Sequence, residues 1–359
     1  MKKNKKINII FPYNSVGGAF RSTYEISNRL KKLGYDVVVY FPFFPLMDGQ
    51  NIFSLTGFLF YVRGILRSLI RRNKIYWFEC DFQIKIVPFL NNFFIRDADI
   101  IIANHWITAK PTYALSLRKG EKYYFIRDNE HWAPHYEKVV KAFNLNMRRL
   151  VVADWIKKHF EEKLNLDVEA VITNGFNFEK FKIENKTFNK KNITISIIYS
   201  SHPMKGMGDA LIVLEKIFKK YPSVKIILFG FEKKPKNLNF KFTYYRGLAG
   251  DDVKEIYNKT DIFFCPSLQE GFHNPPSEAM AAKCAVIATS VGSVPHTIQN
   301  MKNGISVNPG DIISMEKYFF LLIEDQNLRV SLSEAAYKDI QNLSWDPSIK
   351  KLDKIFNTE

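Results

Sequence analysis

Residues 265–309 of the chain read CPSLQEGFHNPPSEAMAAKCAVIATSVGSVPHTIQNMKNGISVNP. The apolar run DIFFC leads into this stretch, an alanine-rich helical segment follows its proline-containing loop, and AVIATS is strand-like again. Asn274 is the expected N-cap of the helix, because two prolines follow it and the first helical turn tolerates their missing N–H groups. The stretch therefore predicts a strand–loop–helix corner of an α/β sheet.

Two glutamates, Glu270 and Glu278, lie eight positions apart on this corner, the first in the loop and the second in the first turns of the helix. The free N–H groups at the start of the helix favour a phosphate group. Carboxylates beside such a site can accept hydrogen bonds from sugar hydroxyls. The pair could thus hold the ribose of a nucleotide and a transferred hexose. Two glutamates at this spacing also occur by chance, so the surrounding pattern carries the specificity.

The length of 359 residues and the 46% hydrophobic content predict two domains, each with its own core. The three cysteines, Cys80, Cys265 and Cys284, show no paired spacing, which argues against a disulfide framework or a zinc site and favours a reducing cytosol. No apolar run has the length of a transmembrane helix. The basic N-terminus fits a lysine-rich tail before a first strand better than a signal peptide. We therefore expect a cytoplasmic protein.

The formal net charge of +16 is concentrated near the N-terminus, where residues 1–72 contain twelve Lys or Arg and three Asp or Glu. Within residues 52–72, Arg63, Arg67 and Arg71 recur every four residues among apolar side chains. This pattern predicts a basic amphipathic helix that contacts an anionic membrane, on the inner face of the cell membrane. A core-facing helix with a solvated arginine edge is the alternative. No recognised nucleic-acid reading motif is present, so a nucleic-acid partner is not expected.

The first domain, predicted over residues 1–181, begins as a strand–glycine turn–helix–strand unit, the opening of a doubly wound sheet. Gly17 and Gly18 in the turn suit either a close approach of the backbone to a ligand or a plain tight turn. A later strand ends on His105, and ligands of such sheets bind beyond the carboxyl ends of strands. A structural role for this histidine stays open.

A lysine-rich segment, residues 182–192, is the predicted linker. Residues 193–340 repeat the strand–turn–helix pattern and form the predicted second Rossmann-like domain. Residues 341–359 are helical and are expected to cross back to the first domain. Two such domains facing each other would form a cleft, with the Glu270 corner on one wall.

At this point the motifs resemble a family. EGFHNPPSEAMAAKCAVIATSVGSVP resembles the donor-binding signature of retaining glycosyltransferases of family 4, which have the GT-B fold and share the element Glu, seven residues, Glu. TNGFNFEKF is similar to the family's NG-x-D-x-x-x-F segment, MKG to its lysine–glycine turn and LSWD to its C-terminal segment. IIIANHWITA and YYFIRDNE are similar to segments of a bacterial surface-polysaccharide subset that includes rhamnosyltransferases.

The resemblance implies that Glu278 binds the ribose hydroxyls, that Glu270 contacts the transferred sugar near the reacting carbon, and that Lys205 neutralises the diphosphate. His105 aligns with a histidine near the sugar. The family's usual arginine, five residues before the lysine, is replaced here by Ser200, so His202 or another basic residue would have to supply that contact. The other implied donor contacts are Gly17, Gly18, Gly230, Phe231, Leu248, Gly271, Phe272, His273, Asn274 and Ser277.

The reaction implied by the resemblance moves a sugar from a nucleotide-diphosphate sugar to a hydroxyl of a glycan or lipid-linked acceptor, with retention of configuration and without a metal. Bacterial cell-surface polysaccharide synthesis is the expected setting. Two alternatives stay open: a GT-B sugar-nucleotide epimerase or hydrolase, and a non-catalytic membrane-associated scaffold.

Overall fold

The chain forms two compact units, residues 1–174 together with 345–359, and residues 175–344. The division falls before the predicted linker, because Phe181 is buried in a hydrophobic cluster of the second unit. A computed structural model describes residues 5–15, 17–43, 46, 58, 59, 62, 66, 75–187, 193–248 and 251–358. Arg63, Arg67 and Arg71 of the predicted membrane helix lie outside the described residues.

The first unit is built on a parallel sheet of seven strands in the order β3-β2-β1-β4-β5-β6-β7. Strand β3 was not predicted, because its aromatic surroundings favoured a surface segment; it lies at the sheet edge, where most of its residues are only partly buried. The strands are β1 (Lys6–Ile10), β2 (Asp36–Pro42), β3 (Gln83–Val87), β4 (Ile100–Ala103), β5 (Glu121–Ile126), β6 (Arg148–Val151) and β7 (Ala170–Val171).

The helices of this unit connect the strands in the manner of a doubly wound sheet. Helix α1 follows the glycine turn, buries Tyr24, Ile26 and Leu30, and ends before Gly34, which has a φ of 94°. The helices are α1 (Gly18–Lys32), α2 (Trp106–Tyr113), α3 (Tyr136–Phe143) and α4 (Asp154–Lys163).

The second unit contains a parallel sheet of six strands in the order β10-β9-β8-β11-β12-β13. Its strands are β8 (Thr194–Ile198), β9 (Lys225–Gly230), β10 (Thr243–Arg246), β11 (Ile262–Cys265), β12 (Ala285–Thr289) and β13 (Ile305–Val307). Its helices are α5 (Phe178–Phe181), α6 (Met207–Lys220), α7 (Asp251–Asn258), α8 (Asn274–Ala281), α9 (Val294–Thr297), α10 (Ile312–Glu324) and α11 (Gln326–Ile340). The strand order reverses between β8 and β11, which is where open α/β sheets bind ligands.

The last helix, α12 (Asp346–Asn357), belongs to the first unit. The Phe356 ring packs edge-on against Tyr35 and Tyr123, and the Tyr35 hydroxyl donates a hydrogen bond to Asp353 Oδ1 at 2.7 Å. At its start, Ser348 Oγ donates to the Thr173 carbonyl at 2.7 Å. The chain therefore returns to complete the core in which it began.

Candidate active site

Lys205 and the segment from Glu270 to Glu278 follow the carboxyl ends of β8 and β11, the two neighbouring strands at which the strand order reverses. The loop after β8 forms a short 3₁₀ turn, Pro203–Lys205, and the loop after β11 contains Glu270. The Met204 carbonyl accepts hydrogen bonds from the backbone N–H groups of Leu268 and Gln269, which ties the two loops together.

Gly206 makes this contact between the loops possible. Its φ is 63°, in the left-handed region, and a Cβ at this position would lie 1.9 Å from the Pro266 carbonyl oxygen. Only glycine can adopt this conformation without strain and leave room for the neighbouring backbone. The position of Lys205 beside the β11 loop is thus a consequence of the lysine–glycine dipeptide.

Glu270 is partly buried, with 14% of its side chain exposed, and is held by two donors. Its Oε1 accepts hydrogen bonds from Lys205 Nζ at 2.7 Å and Ser267 Oγ at 2.8 Å, and His273 Nε2 lies 3.7 Å away. Burial raises the pKa of Glu270, but His273, Lys205 and the hydrogen bonds from Lys205 and Ser267 lower it by more, so the net pKa lies below its ordinary value. The carboxyl group is therefore ionised at neutral pH.

His273, rather than the predicted Asn274, is the N-cap of α8, and it has a φ of 73°. The reason for the difference is that Asn274 already has helical geometry, with the two prolines next to it in the first turn. Burial lowers the pKa of His273 to about 4, so the ring is neutral at pH 7. Two hydrogen bonds from Ser293 hold this loop in place. Its N–H donates to the Phe272 carbonyl and its Oγ donates to the His273 carbonyl.

Two buried polar atoms at the start of α8 have no hydrogen-bond partner in the part of the chain that the structure describes: His273 Nδ1 and Ser277 Oγ. Ser277 is only 1% exposed. Glu278, the next residue, is 8% exposed and accepts a hydrogen bond from the Tyr257 hydroxyl at its Oε2, at 3.0 Å. The helix start thus presents a serine hydroxyl without a partner next to an oriented carboxylate.

Ser200 does not stand alone at the position where an arginine was expected. Ser200 Oγ and the Ser201 N–H both donate to Glu232 Oε1, at 3.0 Å and 2.8 Å. Burial raises the pKa of Glu232, and these hydrogen bonds lower it by more. The His202 ring accepts a hydrogen bond from the Met204 N–H through Nδ1. Sequence reasoning missed Glu232, and its only signal was an acidic residue two positions after a strand.

The residues expected near the nucleobase have different surroundings. Gly230 ends β9 in close contact with β8, since a Cβ there would lie 2.3 Å from the Tyr199 carbonyl oxygen. Phe231 is 56% exposed, whereas Leu248 packs partly buried against a core cluster. Gly271 and Phe272 are partly buried in the loop before α8.

The predicted site residues of the first unit lie at the carboxyl ends of its strands. His105 is the N-cap of α2, and its Nδ1 accepts the Ile107 N–H at 3.2 Å. Burial lowers the pKa of His105 to about 4. Gly17 is the N-cap of α1 and Gly18 is its first residue; a Cβ on Gly17 would make ordinary contact with Phe20. The geometry at Gly17 therefore does not by itself demand glycine.

Two features that would indicate other functions are absent from the described residues. No group of three or more His, Cys, Asp or Glu residues that could hold a metal ion is found among them. In the same part of the chain, no helix combines the length and apolar character needed to cross a membrane.

Comparison with known proteins locates the family signal in the second unit. Residues 178–339 match the family model described as glycosyl transferases group 1. The capsular polysaccharide biosynthesis glycosyltransferase CapM of Staphylococcus aureus is 23% identical over 278 residues, which is 70% of this chain and 72% of CapM.

A second relative extends over most of the chain. The N,N'-diacetylbacillosaminyl-diphospho-undecaprenol alpha-1,3-N-acetylgalactosaminyltransferase of Campylobacter jejuni is 23% identical over 349 residues, 90% of this chain and 86% of that enzyme. Among solved structures, S. aureus TarM in complex with Fondaparinux, alpha-GlcNAc-glycerol and UDP has a TM-score of 0.72 at 14% identity and covers 99% of this chain and 100% of its own. The family match and the shared two-domain fold together support a glycosyltransferase with the GT-B fold.

Proposed function

We propose that this protein is a retaining glycosyltransferase of family 4 that moves a sugar from a nucleotide-diphosphate sugar to a hydroxyl of a glycan or lipid-linked acceptor. The observation that carries the proposal is the Lys205–Glu270 pair, held at 2.7 Å beside the start of α8. A cation, an ionised carboxylate and a serine hydroxyl without a partner among the described residues follow the neighbouring strands β8 and β11, and this combination matches a diphosphate next to a sugar.

The donor diphosphate is assigned to Lys205, Ser277 and the start of α8. The ammonium group stabilises the negative charge that develops on the leaving phosphate. Ser277 Oγ is a donor without a partner among the described residues, and the first helical turn adds its dipole. Because these groups supply the positive potential, we expect activity without a metal. Glu278, oriented by Tyr257, accepts hydrogen bonds from the ribose hydroxyls.

The proposed reaction breaks the bond between the anomeric carbon and the diphosphate oxygen and forms a bond to the acceptor oxygen on the same face. The acceptor's proton passes to the leaving phosphate. Glu270 stabilises the positive charge of the oxocarbenium-like state. Its Oε1 already accepts hydrogen bonds from Lys205 and Ser267, which lowers its nucleophilicity and favours this electrostatic role over covalent attack. His105, with Nδ1 occupied as an acceptor, keeps its proton on Nε2, where it can donate to the sugar.

The names of the relatives support a setting in bacterial cell-surface polysaccharide synthesis. CapM is named for capsular polysaccharide biosynthesis, and the Campylobacter enzyme is named for a sugar acceptor linked to diphospho-undecaprenol. TarM was solved with UDP bound. A hexose or a derivative of one is the proposed transferred sugar.

A thermal-shift panel of UDP, GDP, ADP, CMP and dTDP, each with and without magnesium, tests the donor site. A nucleotide that binds only the folded protein at about 100 times its Kd stabilises it by about 2.7 kcal/mol, which is a measurable rise in Tm. We expect one nucleotide to raise Tm without metal, Glu278→Ala to abolish the rise, and the exposed control Glu255→Ala to retain it. No rise with any nucleotide would contradict the proposal. Product analysis with and without an acceptor then distinguishes transfer from hydrolysis or epimerisation.

We also propose that the basic segment, residues 52–72, binds the anionic inner face of the cytoplasmic membrane. The support is its sequence alone: three arginines at helical spacing among apolar residues. Replacing Arg63, Arg67 and Arg71 with Glu should reduce sedimentation with anionic vesicles and leave neutral-vesicle sedimentation unchanged, because the attraction is electrostatic. Equal binding of a folded triple variant to anionic vesicles would contradict this role.

A further inference from the structure

A second cluster of polar groups lies in the first unit, at the carboxyl ends of the adjacent strands β4 and β5. Asn104 follows β4 directly and Arg127 follows β5 directly. The guanidinium donates to Ser22 Oγ at 2.8 Å, Thr23 Oγ1 at 2.6 Å and Asn104 Oδ1 at 3.3 Å, and it lies over the Phe125 ring at 3.8 Å. A longer contact at 3.5 Å reaches Asn174 Oδ1. Each of these partners is neutral.

No carboxylate of the described chain forms an ion pair with Arg127. The two acids that follow it are engaged otherwise: Asp128 accepts hydrogen bonds from the Asn129 N–H and Trp132 Nε1. Burial and the charge of Asp128 raise the pKa of Glu130 to about 8, so Glu130 is mostly protonated at pH 7. Burial lowers the pKa of Arg127 to about 9, which still leaves it charged. The cation is thus uncompensated.

The other arginines of this unit with described side-chain contacts behave differently. Four of them each pair with a carboxylate: Arg29, Arg96, Arg118 and Arg148. A fifth, Arg149, donates to the carbonyls of Phe143, Leu145 and Asp167, and it therefore ties the turn after α3 to the loop before β7 in a structural role. A partly buried charge without a counter-charge is costly to stability, so its presence where a strand ends points to a ligand.

Two N–H donors of the cluster also lack acceptors among the described residues. Arg127 Nε and Asn104 Nδ2 are buried and unpaired, and Asn104 is only 3% exposed. The two side chains contact each other through Asn104 Oδ1, so the unsatisfied donors belong to one connected group. A positive charge combined with unsatisfied N–H donors is complementary to an anion that carries several acceptor oxygens.

We propose that Arg127 and Asn104 bind a phosphate or diphosphate group of the acceptor. This assignment rests on the proposed transferase function and names the chemical class of its second substrate, a phosphorylated acceptor. The planar guanidinium suits a phosphate because its N–H groups match two phosphate oxygens at once. The stack on Phe125 and the hydroxyl contacts to α1 hold the plane of the group in place before the ligand arrives.

Isothermal titration with inorganic pyrophosphate tests the site in the chain of 359 residues. The donor site is first saturated with the nucleotide diphosphate that raises Tm, or disabled by Lys205→Ala where no nucleotide binds. We expect the wild type to bind pyrophosphate and Arg127→Gln to bind at least about tenfold more weakly, the loss expected for a charge-assisted hydrogen bond. Arg127→Lys keeps the positive charge but loses the planar pair of N–H donors, so its affinity for pyrophosphate should lie between those of the wild type and Arg127→Gln. The matched control Arg149→Gln should bind like the wild type.

Three outcomes would overturn the proposal. The first is absence of pyrophosphate binding to the wild type with the donor site filled. The second is equal binding by folded Arg127→Gln. The third is a tenfold loss of nucleotide affinity in Arg127→Gln with pyrophosphate affinity unchanged, which would assign the arginine to the donor instead. If Arg127→Gln does not fold, the pyrophosphate and nucleotide affinities of Arg127→Lys are compared with those of the wild type in the same way. Nucleotide binding is measured separately, so failure of the donor site is distinguishable from failure of the phosphate site.

Discussion

The protonation states of two neighbouring residues, Glu270 and His273, decide the charge of the candidate donor site. Glu270 is ionised because its charge partners and hydrogen bonds outweigh burial, and His273 is neutral because burial outweighs the nearby carboxylate. The one full positive charge at 2.7 Å from Glu270 is therefore that of Lys205. A site with this charge pattern holds its lysine in place for a diphosphate before the donor binds.

The depressed pKa of His273 makes stability depend on pH in a predictable direction. Its pKa is 6.5 when exposed and about 4 in the folded protein, so between these values the unfolded chain binds more protons and the folded state loses stability as pH falls. His273→Asn removes the titrating group and keeps a side chain that tolerates a positive φ. Between pH 7 and pH 5 the wild type should lose about 2 kcal/mol of unfolding free energy relative to the variant.

Urea titrations followed by circular dichroism at pH 5, 6 and 7 measure this difference. The chain has five tryptophans, all within residues 1–174 or 345–359, so tryptophan fluorescence identifies the transition of the first unit and the remaining transition belongs to the second. Parallel pH dependence of wild type and His273→Asn in that remaining transition would contradict a buried neutral histidine.

The positions of Lys205 and Glu270 after strands, and of Glu278 in the following helix, could be predicted from the sequence because hydrophobic patterning locates strand ends well, while their roles toward a donor stay predictions. Their partners did not follow from it. Glu232 meets Ser200 across two loops, and Tyr257 reaches Glu278 from another helix. Such contacts depend on loop conformation and on the packing of distant segments, neither of which has a local pattern. Arg127 was visible only as a charged strand exit, since its lack of a counter-charge is a property of the packed structure.

Among the secondary-structure elements, the sequence predicted the presence of helices and strands better than the residues at which they begin and end. The strand–glycine turn–helix–strand pattern at the start of the chain predicted β1, α1 and β2. The N-cap of α8 was misplaced by one residue, because two successive prolines are compatible with either register at a helix start. Short-range sequence signals thus identify an element but leave its terminal residue undetermined.

The turn that carries Lys205 provides a matched pair of glycine substitutions. Gly206→Ala places a Cβ 1.9 Å from the Pro266 carbonyl oxygen at a φ of 63°, so it must displace one of the two loops. Gly208, two residues on, lies inside α6, and no atom lies within 4 Å of the position that a Cβ would occupy there. We expect Gly206→Ala to cost several kcal/mol, about 2–5, and to abolish the nucleotide-dependent rise in Tm.

Gly208→Ala should instead raise stability by about 0.5–1 kcal/mol, because alanine is the better helix former. It should leave nucleotide binding unchanged. Thermal unfolding of both variants with and without the nucleotide measures the two effects. A Gly206→Ala protein with wild-type Tm and nucleotide response would show that the contact with Pro266 does not hold the lysine in place.

At the scale of the whole molecule, the hydrophobic core of the first unit is built from two separate parts of the sequence, residues 1–174 and 345–359. Length and composition predicted two domains, and residues 341–359 were expected to cross back to the first, but the partners of this helix became known only from the structure. Helix α12 contributes Ile349, Leu352, Ile355 and Phe356 to the buried interior of the first unit. Because residues 345–359 belong to this core, it is complete only after residues 175–344 have been synthesised.

The contribution of this last helix can be measured with a single side chain. Phe356 is 3% exposed and its ring packs against both Tyr35 and Tyr123, so Phe356→Ala leaves a cavity and should lower the stability of the first unit by about 3–5 kcal/mol. Lys350→Ala, an exposed position on the same helix, is the matched control and should change it by less than about 0.5 kcal/mol. Urea unfolding followed by tryptophan fluorescence reports on the first unit, and the nucleotide-dependent rise in Tm reports on the second. If Phe356→Ala and Lys350→Ala unfold at the same urea concentration by fluorescence, α12 is not part of that core. If the Phe356→Ala transition moves to lower urea while the nucleotide-dependent rise in Tm is unchanged, α12 stabilises the first unit alone.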